Sequence, residues 1–291
     1  MGTEDLAQRL ELTHYLPRNV VDTDAPPERR RLQCRRTGGL AGQRDGLPVR
    51  LASRQAGAIL YLAGMLNVLR EGPGWAVVNK PAGIATERHF QYATVESLAA
   101  DMWARPKASK PPYVGIVHRL DRVTSGALLL ARRKSTLVRL NAAFANGSVK
   151  KVYLAATDAP LPDSAGRLRH FLGRDPANRL AVASTRPVAG AKEAILDYKL
   201  LDATGTGYLY EVSLLTGRYH QIRAQFAAVC APIIGDAPYG SQRVLGAHQI
   251  ALHAVRLTFP DPADDALVTV TAPLPAGWPL APVDAYQTEE E

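Results

Sequence analysis

The chain has 291 residues, 46% hydrophobic and 21% charged, a balance that provides for a sizeable core and excludes a wholly disordered protein. Its net charge of +8 favours a polyanionic partner, because Lys and Arg that neutralise phosphates release condensed counterions. Two cysteines, Cys34 and Cys230, lack a CxxC spacing and indicate neither a disulfide framework nor a zinc cluster.

Residues 1–56 carry Arg29, Arg30, Arg31, Arg35, Arg36, Arg44, Arg50 and Arg54 with few periodic apolar positions, and read either as a basic arm for RNA or as a solvated tail. Glu4, Asp5 and Glu11 with no apolar run argue against a secretory or transit leader. Residues 57–66 are apolar, but a membrane span needs about 20 such residues, so they read as a packed helix or a linking segment. Periodic structure is expected from Leu66. Residues 1–65 are thus assigned to an N-terminal extension, 66–280 to a catalytic domain and 281–291 to an acidic tail.

Within that domain, residues 75–79 predict a strand stopped by Pro81 and Gly83, and 94–103 a short helix with Thr94 as its cap. An apolar run after Gly126 predicts a buried strand. Leu137, Leu140, Ala143 and Phe144 recur at helical spacing before Asn146-Gly147, a left-handed stop. Strands follow at 152–156, 194–201, 208–214, 251–259 and 268–271, and Cys230, in an apolar stretch, is expected as a small buried hydrophobe. Because strands outnumber helices without alternating with them, the fold class is α+β, a mixed, mostly antiparallel central sheet with flanking helices, loops and a catalytic cleft.

Two segments carry chemistry. In His118-Arg119-Leu120-Asp121-Arg122-Val123-Thr124-Ser125-Gly126, a single carboxylate lies between two guanidinium groups at the mouth of the buried strand. Cations hold such a group ionised where desolvation would protonate it, as a carboxylate nucleophile requires; a neutralised acid in a surface turn has the same charge pattern. The second, Leu214 through Phe226, joins a strand to a helix and brings Arg218, His220, Gln221 and Arg223 to its start. Backbone N–H groups favour an anion there, though a charged first turn would look alike.

Together with Asn79-Lys80-Pro81-Ala82-Gly83, Lys151-Val152-Tyr153, Gly235-Asp236, Tyr239-Gly240 and Leu252-His253-Ala254, these segments resemble, in order, the signature motifs of RluA-type pseudouridine synthases over about residues 66–275. The resemblance implies an enzyme isomerising uridine in ribosomal or transfer RNA to pseudouridine, without cofactor or metal. By motif position, Asp121 is the catalytic carboxylate, Arg223 its ion-pair partner and Tyr153 the ring that stacks on the target base and helps remove its proton. Ile222 would line the base pocket and Arg119 hold the RNA open. Arg218, His220, Gln221 and His118 are expected to contact substrate. The chain departs from the family in showing no legible S4-type RNA-binding domain in residues 1–65, and in carrying Asp261 where many relatives have histidine.

A kinase reading lacks a Gly-rich phosphate loop and an Asp-Phe-Gly, and a serine hydrolase lacks its Gly-x-Ser-x-Gly elbow. The competing reading is a catalytically silent RNA-binding relative acting in RNA or ribosome assembly; intact Asp121, Tyr153 and Arg223 favour the active enzyme. The expectation is a monomer, not associated with membranes, in the cytoplasm, with an organelle left open.

Overall fold

The computed structural model describes residues 66–89 and 91–280; the expectations for residues 1–65 and 281–291 lie outside them. One sheet contains β1 (Asn67–Gly72), β2 (Trp75–Lys80), β3 (Gly115–Ile116), β4 (Ser125–Ala131), β5 (Lys150–Thr157), β6 (Ala165–Asp175), β7 (Leu180–Ser184), β8 (Lys192–Thr204), β9 (Gly207–Leu214), β10 (Leu252–Pro260) and β11 (Leu267–Thr271). Helices α1 (Val95–Met102), α2 (Lys134–Ala145) and α3 (Gln221–Ala228) accompany it. The strand order is β1-β2-β4-β10-β5-β9-β8-β6-β7, with β3 on β4 and β11 on β10. Every pair is antiparallel except β4 with β10, so the mixed, mostly antiparallel expectation holds.

Strand β4 explains its own sequence. It is buried along its whole length because layers cover both of its faces. Leu128 and Leu130 enter a core with Val95 and Leu98 of α1 and Ile222 and Phe226 of α3. Ala127, Leu129 and Ala131 enter another with Leu140 and Ala143 of α2, Trp75 and Phe259. Such a strand is apolar at every position, and the period of two shows only in which core each side chain joins. At its start, Gly126 has φ +116, and a Cβ there would collide with the Ala254 backbone of β10. Glycine lets these two strands approach next to Asp121.

Thr94 caps α1 in a reciprocal capping box with Ser97. Helix α2 begins one residue before Ser135 and stops at Asn146, with Gly147 at φ +79. The hairpin β6–β7 is a finding beyond the predicted elements. Its inward positions Leu168, His170 and Leu172 alternate with Arg167 and Arg169, which pair across to Asp197 and Glu193 of β8 at 2.6 Å each. Cys230 corrects the expectation of burial: past the end of α3 the backbone turns at φ +61, leaving Cys230 exposed and Ala231 buried in its stead.

Candidate active site

Asp121 sits in the loop that feeds β4, and Thr124 N–H donates to its carbonyl at 3.0 Å to close a turn. The neighbouring segment braces this turn. Thr86 Oγ1 donates to Leu120 O at 3.0 Å and accepts Leu120 N–H at 3.3 Å. Gly83 N–H donates to Arg122 O at 2.7 Å while Arg122 Nε donates back to Gly83 O at 2.8 Å. Beneath lies Lys80, with no exposed surface, its Nζ donating to Pro81 O at 2.9 Å, Ile84 O at 2.8 Å and Arg122 O at 3.3 Å. Burial pulls its pKa down to about 7, the Asp121 charge opposing and Arg122 assisting.

The guanidinium that meets Asp121 comes from 102 residues away. Arg223, in the first turn of α3, donates Nε to Asp236 Oδ2 at 2.7 Å and Nη2 to Asp236 Oδ1 at 2.8 Å, a bidentate pair, and Nη1 to Asp121 Oδ2 at 3.2 Å. Its side chain is 6% exposed and that of Asp236 fully buried, whereas that of Asp121 is 25% exposed and faces the cleft. Burial lowers the Arg223 pKa, but the two carboxylates outweigh it and the net shift is upward. This corrects the expectation drawn from adjacent charges. Arg119 points away to Glu87 at 3.1 Å, and Arg122 is held on Gly83 O and over the Tyr92 ring at 5.5 Å.

The remaining predicted residues join the same cleft, of about 1020 Å³, bordered by all nine. Tyr153, 6% exposed on β5, has its pKa raised by burial and then by the Asp121 charge, which keeps the phenol neutral. Ile222 is buried in the wall of the same cleft. His118 Nε2 accepts Leu129 N–H at 3.1 Å, and its ring stacks on Phe144 at 5.0 Å. Burial, helped by Lys151, pushes its pKa down to about 3. Gln221 has its polar atoms committed within the protein: Oε1 accepts from Thr216 Oγ1 at 2.8 Å and Arg218 N–H at 2.9 Å, and Nε2 donates to Ile195 O at 3.0 Å. Arg218 is exposed on the rim, its Nε on Glu193 O at 2.9 Å. His220, in a left-handed conformation at φ +50, stands 3.7 Å from Asp121 Oδ2 through Nε2.

Asp236, Tyr239 and Lys80 occur in quoted motifs without an assigned role, yet all three build the site. A buried arginine needs a counterion, but the burial of Arg223 shows only in the fold, so no sequence signal marked Asp236. Along the rim, Arg122, Arg174, Arg179 and Arg218 have no carboxylate partner among the described residues, so the mouth is electropositive. No helix among the described residues is long and apolar enough to cross a membrane.

This open, mixed and mostly antiparallel sheet is the fold of pseudouridylate synthase domains. The solved structure described as human RNA pseudouridylate synthase domain containing 4 shares the fold, with a TM-score of 0.62 over 77% of this chain and 95% of that one at 24% identity. Residues 74–228 match the family described as RNA pseudouridylate synthase. The chain belongs to that family, in its RluA-type branch. It is 35% identical over 222 residues to the ribosomal large subunit pseudouridine synthase D of Neisseria meningitidis serogroup B, spanning 72% of this chain and 58% of that protein's length. An uncharacterised RNA pseudouridine synthase of Bacillus subtilis is 31% identical over 80% of this chain and 76% of its own.

Proposed function

We propose that the protein isomerises a uridine in structured RNA, in first place large-subunit ribosomal RNA, to pseudouridine, with Asp121 as the catalytic carboxylate. In this isomerisation the C1′–N1 bond breaks, the uracil turns within the cleft, a C1′–C5 bond forms, C5 loses its proton and N1 gains one. Nothing is oxidised and no co-substrate is consumed. The observation that carries the reading is the 3.2 Å contact between Arg223 and Asp121 within the cleft. That contact presents an oriented carboxylate where a sugar can reach it, whether it then adds to C1′ or removes a ribose proton.

Tyr153 fits the stacking role, since an everted base loses its neighbours and needs a planar replacement. Its neutral phenol lies within the electrostatic reach of Asp121, and at the C5 step Oη takes the C5 proton only as its own hydrogen passes to a base such as the Asp121 carboxylate. Ile222 supplies an apolar wall that keeps the detached uracil in place. The unpaired rim arginines suit RNA phosphates, and Arg119, held on Glu87 at the exposed edge, can exchange that weak pair for a nucleotide contact. The ribosomal target is favoured by the Neisseria relative's name. All these residues come from one chain, which favours action as a monomer. Pseudouridine mapping of total RNA from cells with the gene intact, deleted, or carrying Asp121→Asn tests the reading: a site lost in both altered strains is expected, and an unchanged map would overturn it.

A further inference from the structure

His220 is held more tightly than a substrate contact needs to be. Its ring lies on Tyr219 at 3.8 Å and 19°. Arg174 of β6 covers the Tyr219 ring at 4.8 Å, and Tyr219 Oη donates to Arg179 O at 2.9 Å. On the other side, His220 Nδ1 is 3.0 Å from Tyr239 Oη. Tyr239 Oη already accepts Ala181 N–H of β7 at 2.8 Å. With that acceptor position taken, we assign the phenol's own hydrogen to Nδ1, which makes Nδ1 the unprotonated nitrogen. The proton of the neutral ring is left on Nε2, the nitrogen 3.7 Å from Asp121 Oδ2. Arg223 Nη1 approaches the same oxygen at 3.2 Å.

We propose that His220 is a positioning residue for Asp121. In the tautomer set by Tyr239 it directs a neutral Nε2–H at Oδ2, so that two donors hold this oxygen and Oδ1 is the one presented to the ribose. The inference rests on Asp121 being the catalytic carboxylate. The 3.7 Å separation is longer than a hydrogen bond, and on this proposal it shortens when substrate fills the site, as catalytic hydrogen bonds commonly do. The groups facing the ring are Asp121, Arg223, Asp236, Arg174, Tyr219 and Tyr239. Burial dominates their opposed effects and lowers the imidazole's pKa to about 4, so it stays a neutral donor across the neutral range. The same contacts tie the β6–β7 hairpin to the carboxylate through two aromatic rings.

The test uses the full-length protein labelled with ¹⁵N-histidine, and an unmodified transcript of large-subunit ribosomal RNA carrying tritium at uridine C5. Long-range ¹H–¹⁵N spectra at pH 7, with His220 assigned by its absence in His220→Asn, should show the Nε2–H form. In Tyr239→Phe the population should move toward Nδ1–H. Asparagine tolerates the left-handed backbone well but places its amide near the Nδ1 position. His220→Asn should therefore lower kcat on the order of 10²-fold with little change in KM, as misplacement of a reacting group does. His220→Gln reaches the Nε2 position and should recover most of that loss. An Nδ1–H tautomer in the unaltered protein overturns the proposal, as does a folded Gln variant no better than Asn, or an effect confined to KM. Full activity of Asp121→Asn would instead remove the reading beneath it, while the tautomer spectra would stand by themselves.

Discussion

Arg223 binds Asp236 and Asp121 through different nitrogens: Nε and Nη2 at 2.7 and 2.8 Å go to Asp236, and Nη1 at 3.2 Å goes to Asp121. The better geometry belongs to the fully buried acid, so Asp236 fixes the guanidinium and the guanidinium in turn orients the exposed carboxylate. Asp236→Ala leaves a buried cation with one partly exposed partner. It should destabilise the fold by roughly 3–5 kcal/mol, the usual cost of removing one member of a buried pair. Urea denaturation checks the value, and an effect below about 1 kcal/mol, the level of a surface pair, would contradict it.

Gly126 couples backbone geometry to the same site. Its φ of +116 and its approach to Ala254 exclude any side chain, so Gly126→Ala must push β4 away from β10 or twist the turn that holds Asp121. The expected result is a loss of several kcal/mol, typical of strain at a special backbone position. Any soluble fraction should show depressed turnover. Unaltered thermal unfolding would show that the strands separate freely here.

Three strongly shifted imidazoles should make stability fall in acid, with His170, also lowered by burial, adding to them. Burial, with Lys151's charge assisting, lowers His118 to about 3, and burial lowers His220 to about 4, where Asp121 and Asp236 oppose it and Arg223 and Arg174 assist. His253 is lowered by burial to about 4, a hydrogen bond to Ala272 O opposing; its Nδ1 meets Ser125 Oγ at 2.8 Å. Each folded-state pKa lies below the unfolded value of about 6.5, so in that interval the unfolded chain binds more protons and stability falls as pH falls. Between pH 7 and 5 each group should cost about 1–2 kcal/mol. Urea midpoints at the two pH values measure the sum; a flat profile would mean that these rings titrate alike in both states.

Tyr153→Phe separates stacking from proton exchange. The ring stays and the hydroxyl goes, so RNA affinity should hold while turnover drops on the order of 10²-fold, the low end for general acid–base catalysis. Filter binding and tritium release from C5 measure the two quantities. Equal turnover would leave Tyr153 as a stacking surface alone.

Most of the framework was legible because it is local. The strand after Gly126, the Thr94 cap and the Asn146-Gly147 stop are written in adjacent residues, and the motif pairing of Asp121 with Arg223 placed both at one cleft. The β6–β7 hairpin was not legible: its inward face includes His170, and its outward face pairs Arg167 and Arg169 with acids of β8, so hydrophobic alternation is diluted. Neighbouring charge misled at Asp121, since side chains at adjacent positions diverge and Arg119 and Arg122 find partners elsewhere. Asp236 has meaning only through a residue 13 positions earlier, a relationship that neither periodicity nor composition carries. Lys80 stands in a quoted motif with no assigned role, because its place as the buried strut under the loop depends on contacts that only the fold brings about.

Single-turnover tritium release from C5-labelled RNA, comparing the protein with its Asp121→Asn variant at matched folding and RNA affinity, bears most directly on the central claim. The amide keeps the shape and a hydrogen bond's reach but cannot act as a carboxylate. Release and pseudouridine should vanish with it, while binding persists. Isomerisation by the variant at a rate near that of the unaltered protein would contradict the account.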